Sequence, residues 1–248
     1  MSHNPPQAKP SPLSTLWRLL TFRATRAELE TFDHRHLLLG LLLVWIVGIG
    51  RTWDDPQVEP LRRSGVGSLA YVFFLSLLLW LIVKTLARHV TYRHVLTFVC
   101  FAAAPGLIYA IPVERWFDAS TARLINSWFL AVVAIWRVAL LIFYYRRYAA
   151  LGAYATATST LLPLATIMGP LTFIRALGEA LETMGGIREG PPPTAAQAIA
   201  DMLGIISIYA FLPLLVAHYV LERRAFSKAS AETFGPKGET TFQDVNSV

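Results

Sequence analysis

Six times between residues 36 and 221 the chain enters a mainly apolar run close to twenty residues long. That is the length at which a helix rising 1.5 Å per residue crosses the hydrocarbon of a bilayer. The runs occupy residues 36–53, 66–84, 94–113, 125–145, 154–174 and 199–221. Inside hydrocarbon the backbone N–H and C=O groups have no water to bond, and a helix satisfies them within its own segment. The pattern predicts an all-α, polytopic integral membrane protein with six transmembrane helices. The fifth run is the weakest, because its opening third, "YATATST", is polar. Read as a re-entrant or interfacial segment instead, it leaves five spans and moves the C-terminus to the other side.

Charge fits the same picture. Only 15% of the 248 residues are charged against 54% hydrophobic, and the mean hydropathy is +0.47, well above the balance of soluble domains. The net charge of +6 sits mainly in the connectors between runs, which suits anionic lipid and argues against nucleic acid as a partner. With the N-terminus cytoplasmic and six spans, the inner segments hold fourteen of the 22 Lys and Arg residues and the outer loops seven. The remaining one is Arg137, within the fourth run. This asymmetry predicts that both termini are cytoplasmic.

Three regions follow. Residues 1–34 form a cytosolic arm whose segment 13–30 groups Leu13, Leu16, Trp17, Leu19, Leu20 and Phe22 with Arg18, Arg23 and Arg26. Such a helix lies in the membrane interface, or packs on the protein's own cytoplasmic face. Residues 35–222 are the transmembrane domain, and the polar, aperiodic residues 223–248 read as a disordered cytosolic tail. The opening "MSHNPPQAKPSP" lacks the marks of a secretory signal, so the N-terminus is expected to be retained. A single cysteine, Cys100, excludes an internal disulfide framework.

The acidic residues inform by where they are missing. None lies between Glu59 and Glu114 or between Asp118 and Glu179, so the second to fifth runs contain no carboxylate. Carboxylate-dependent proton or cation carriers, aspartyl intramembrane proteases and two-carboxylate hydrolases need acids at that depth. Asp201, near the outer end of the sixth run, reads as a helix N-terminal residue. His34, His36, His89, His94 and His218 all fall on the cytoplasmic side but match no ligand spacing, and no metal or cofactor is assigned. Ser159 and Thr160 lack a partner base, and no G-x-S-x-G, phosphate loop or dinucleotide glycine pattern occurs. No catalytic residue is assigned.

Pro105, Pro163, Pro170 and Pro213 fall inside runs, where each removes an N–H and frees a carbonyl one turn earlier. The fifth run adds Thr156, Thr158, Ser159, Thr160 and Thr166, which makes it the candidate packing or cavity-lining helix. An arginine at bilayer depth costs about 2.5–3.5 kcal/mol on insertion scales. With no neighbouring carboxylate, Arg137 must find proline-freed carbonyls, hydroxyls, the faces of Trp136 or tyrosines, or a lipid phosphate. It is read as a satisfied arginine inside the bundle or as an anion or headgroup site. The binding candidates are Arg137, Pro105, Trp136, Thr160 and Pro163.

Two stretches, "YRHVLTFVCFAAAPGLIYAIP" (92–112) and "AVVAIWRVALLIFYYRRYAALGAYATATSTLLPL" (131–164), resemble the Yip family, multispan membrane proteins whose eukaryotic members bind Ypt/Rab GTPases. The resemblance rests on a basic loop leading into a helix broken by Ala-Ala-Pro, then a Trp-containing span, a basic turn and a proline-containing helix. It implies an all-helical protein with a cytosolic N-terminal region, typically five spans, no enzymatic chemistry, and a role in membrane organisation or partner docking. The sixth run exceeds that count and no "DLYGP" segment is present, so GTPase binding is not carried over. The short connections look bacterial, which implies the cell inner membrane. The leading expectation is a non-enzymatic protein that scaffolds or docks partners through residues 13–30 and its basic face, with homo-oligomerisation left open. The alternatives are a small transporter or channel for an anionic or lipid-like solute and, third, a lipid-modifying enzyme.

Overall fold

The computed structural model describes residues 10–51, 53, 59–184 and 195–234. All regular structure among them is helical: α1 (Pro12–Leu20), α2 (Arg26–Glu30), α3 (His34–Gly50), α4 (Pro60–Arg63), α5 (Val66–Leu86), α6 (Tyr92–Phe101), α7 (Ala119–Arg147), α8 (Ala153–Met184) and α9 (Ala195–Phe234). Two 3-10 segments, Ala104–Ala110 and Val113–Arg115, prolong α6. Five elements are long and apolar enough to cross a membrane: α5, the composite Tyr92–Arg115, α7, and the Ala153–Gly178 and Ala198–Ser227 parts of α8 and α9. The chain is a multi-pass membrane protein.

The short helix is the first run and not the fifth. α3 has 17 residues, about 26 Å against a hydrocarbon core of about 30 Å. It nevertheless runs parallel to the composite third traverse, with Gly40 against Cys100 and Gly50 against Ala110, and antiparallel to α5, with Gly48 against Ser68. It therefore follows that traverse to the same end of the bundle. The fifth run, expected to be the weakest, lies inside the 32-residue α8. Its threonines explain this. Thr158 Oγ1 donates to Tyr154 O at 2.9 Å and Thr166 Oγ1 to Leu162 O at 2.8 Å, so these hydroxyls are satisfied within the helix and do not oppose burial.

The third traverse is the centre of the molecule: every residue from Val95 to Phe101 is buried. Phe98 stacks on Tyr144 of α7 at 4.2 Å, and Phe101 meets Phe32 edge-on at 5.7 Å. α8 and α9 form the outer hairpin, closed where Gly204 faces Thr172 and Gly169 faces Ile208. Asp201 pairs with Arg175 across this hairpin at 3.0 Å, a partner absent from the sequence reading. α9 also runs on to Phe234, so the first part of the expected disordered tail is helical, and residues 235–248 lie outside the described residues.

The arm packs on the bundle. Leu16, Leu19, Ala24, Leu29 and Phe32 join the main core, Trp136 Nε1 donates to Leu20 O at 3.2 Å, and Arg93 donates to Phe32 O at 3.3 Å. The other face of α1 keeps Leu13 and Trp17 about two-thirds exposed, at 66% and 67%. Asp33 caps α3, accepting from the N–H groups of Arg35 and His36 at 2.9 and 3.2 Å.

Candidate ligand-binding cavity

At Phe101 the α-helix of the third traverse stops. Pro105 brings no N–H to the carbonyl of Ala102, and the N–H of Gly106 goes to Ala103 O at 2.9 Å. From the facing wall Arg137, ten residues before the end of α7, reaches these two carbonyls. Its Nε donates to Ala102 O at 3.1 Å and one Nη to Ala103 O at 3.3 Å. Charge-assisted hydrogen bonds contribute about 1.5–3 kcal/mol each, enough to offset the insertion cost of the guanidinium. The approach depends on Gly106, because a Cβ there would lie 3.0 Å from the Arg137 Nη and 2.9 Å from a Val47 methyl.

Two of the five guanidinium N–H donors are thus engaged, and no carboxylate pairs with Arg137 among the described residues. The side chain is half-buried and lines a cavity of about 420 Å³ enclosed by α3, α5, the third traverse, α7 and α8. The polar groups of its wall are Arg51, Ser68, Tyr71, Tyr109 and Arg137. By their positions along α3, α5 and the second half of the third traverse, Arg51, Ser68, Tyr71 and Tyr109 belong to the end opposite the arm. Leu79, Phe98 and Leu141 continue the wall toward the arm end. Arg51 stacks over the Tyr109 ring, 5.5 Å from its centroid. The cavity is amphipathic: cationic and hydroxyl-bearing at one end, hydrocarbon at the other, with no acidic residue among the described residues of its wall.

The sequence-predicted residues divide here. Arg137 and Pro163 line the cavity, and Pro105 shapes it through the carbonyl that it leaves to Arg137. Trp136, one residue and about 100° around the helix from Arg137, turns to the arm and takes no part. Thr160 is buried on α8 away from the cavity wall, and its hydroxyl, like that of Ser159, has no partner among the described residues. Sequence reasoning missed Arg51, Tyr71, Tyr109 and Gly106. Arg51, Tyr71 and Tyr109 lie toward the same predicted side of three apolar runs, and that shared side was the available signal.

The histidines do not converge. Nδ1 of His36 pairs with Asp33 at 2.8 Å, Nδ1 of His94 with Thr91 Oγ1 at 2.7 Å, Nε2 of His89 with Tyr148 O at 3.2 Å, and Nε2 of His218 with Thr85 Oγ1 at 3.0 Å. Among the described residues no three metal-ligating side chains stand together. A second cavity, of about 440 Å³ between α5 and α9, carries its own carboxylate, Glu222, beside Arg88 and Arg223. It offers no comparable excess of one charge.

Fold and cavity define a class: a polytopic all-α membrane protein with a cationic, amphipathic cavity among its helices. No family model matches the sequence, and neither a curated protein nor a solved structure matches it. The Yip resemblance rests on the two stretches quoted above.

Proposed function

We propose that this is a non-enzymatic membrane protein that binds an anionic, lipid-like solute in the Arg137 cavity and holds or carries it at bilayer depth. The observation that carries this reading is an arginine with free donors in an amphipathic cavity that contains no carboxylate among the described residues. The carbonyls of Ala102 and Ala103 occupy two of the five N–H donors of Arg137, and an anionic ligand is the complement of the three that remain. The residues engaged there are Arg137, Pro105 and Pro163, joined by Arg51, Tyr71 and Tyr109. We further propose a bacterial, Yip-like protein of the cell inner membrane with both termini cytoplasmic. The support is that Lys84, Arg88, Arg93, Arg146, Arg147, Arg223 and Arg224 lie within a turn of the arm-side ends of the membrane-spanning segments. A second role, docking of a protein partner by residues 13–30, is favoured by the exposed Leu13 and Trp17 of α1.

The test is equilibrium binding of chain-matched anionic and uncharged amphiphiles to purified protein in neutral detergent. The anionic probe should bind about tenfold tighter or better, and Arg137→Gln should remove the preference while Arg137→Lys keeps part of it. Thermal unfolding of each variant separates lost binding from lost fold. Equal binding of both probes, or an Arg137→Gln protein that still prefers the anion, sinks the proposal.

A further inference from the structure

Among the described residues the cavity wall carries two guanidinium groups and no acid. Arg51 and Arg137 both line it, and Arg51 is close enough to Arg137 for their charges to repel. Tyr71 and Tyr109 stand near the same guanidinium and line the same wall. Two like charges on one cavity wall are balanced fully by a ligand of charge −2 and only half by one of charge −1. Guanidinium groups bind phosphate oxygens in pairs of parallel N–H···O bonds, and tyrosine hydroxyls donate to the oxygens that remain.

Size bounds the rest. A volume of about 420 Å³ equals that of roughly fourteen waters at ~30 Å³ each. That is the size of a phosphate group with most of one medium-length alkyl chain. The chain has a path along Leu79, Phe98 and Leu141.

Building on the anion-binding reading of this cavity, we infer that its ligand is a single-chain phosphate monoester. Its doubly charged head sits between Arg51 and Arg137, and its tail lies in the apolar end. Arg137 supplies affinity for any anion at this depth. Arg51, on the exposed end of α3, supplies the preference for the second negative charge.

The experiment uses the full-length protein in neutral detergent at about pH 8, above the second ionisation of a phosphate monoester near 6. Its probes are dodecyl phosphate, the methyl ester of dodecyl phosphate, laurate and inorganic phosphate. Dodecyl phosphate should bind about tenfold tighter than its methyl ester or laurate, and inorganic phosphate should not displace it at equal concentration. Arg51→Gln lies at the exposed end of α3, so the fold should tolerate it, and it should bring dodecyl phosphate to within about twofold of the methyl ester by weakening the phosphate monoester severalfold more than the ester. If the wild-type protein binds ester, acid and phosphate monoester alike, the head-charge inference fails and the anion site of the previous section stands. If no anionic probe binds, both fail. Displacement by inorganic phosphate would make this a phosphate site with no use for a tail, and it would overturn the inference.

Discussion

From Val95 to Phe101 the third traverse is an α-helix with every residue buried, whereas from Ala104 to Ala110 it is a 3-10 helix bordering a cavity. Both halves are apolar, and both are crossed by α3, α5 and α7. The closed half is filled by rings: Phe98 on Tyr144, Tyr144 on Tyr148 at 5.2 Å, and Phe101 against Phe32. In the other half small residues, Ala102, Ala103 and Gly106, take the place of rings, and Pro105 withholds a donor. The comparison teaches that the cavity is made by the residues that end the α-helix. The Ala102 carbonyl that Pro105 leaves without a backbone donor, with the Ala103 carbonyl beside it, holds the charge that gives the cavity its chemistry.

The largest effect that tests this contrast belongs to the closed half. Tyr144→Ala should destabilise the detergent-solubilised protein by about 3–5 kcal/mol, read by denaturant or thermal unfolding, because a large buried ring leaves a cavity behind. Tyr144→Phe should leave stability unchanged or slightly higher, since the buried Tyr144 hydroxyl has no partner among the described residues. A Tyr144→Ala cost below about 1 kcal/mol would mean that the two halves are packed alike.

A smaller effect should come from the open half. Gly106→Val places methyl groups where the Arg137 guanidinium and Val47 already stand, and should cost about 1–3 kcal/mol by overpacking. Because it pushes Arg137 off the Ala102 and Ala103 carbonyls, it should also weaken binding of the anionic probe severalfold. Wild-type affinity in this variant would show that the carbonyl contacts do not position the guanidinium.

The smallest effect lies at the entry to α3, where the arm meets the closed half. The Asp33 carboxyl is lowered from its ordinary 3.8 to about 2, chiefly by its side-chain hydrogen bond with His36 and then by the N–H groups of His36 and Arg35. A depressed carboxyl stabilises the fold above its unfolded value. That contribution is fully present above about pH 4 and is lost as the pH falls toward 2. Asp33→Ala should remove this part of the acid dependence together with the N-cap, at about 1 kcal/mol at neutral pH. Acid unfolding curves that coincide for the two proteins would show that the cap is energetically silent.

Apolar run lengths made the helical elements legible, because burial in hydrocarbon demands the same local solution wherever it occurs. The fifth run is the least apolar of the five long spanning segments, as its polar opening implies, and it is helical throughout because hydroxyls such as that of Thr158 bond carbonyls of their own helix. Composition misjudged 225–234, where a polar sequence continues a helix already nucleated in the apolar run before it. Around Arg137 the absence of carboxylates narrowed the partners to oxygens of other kinds. Trp136 takes no part because adjacent residues stand on different helix faces, whereas Thr160, one turn from the cavity-lining Pro163, is buried beyond the end of the wall.

The sequence by itself determined an all-helical, membrane-spanning chain with one arginine at depth and no acid to meet it. Hydropathy and charge are properties of residues, and they need no neighbours to act. Only the tertiary structure decided that Arg137 faces Ala102 and Ala103, that Gly106 makes room for it, and that Arg51, Tyr71 and Tyr109 share its cavity. Those residues come from α3, α5, the third traverse and α7, and their meeting depends on how the helices are rotated and paired, which side-chain packing fixes and no single run encodes.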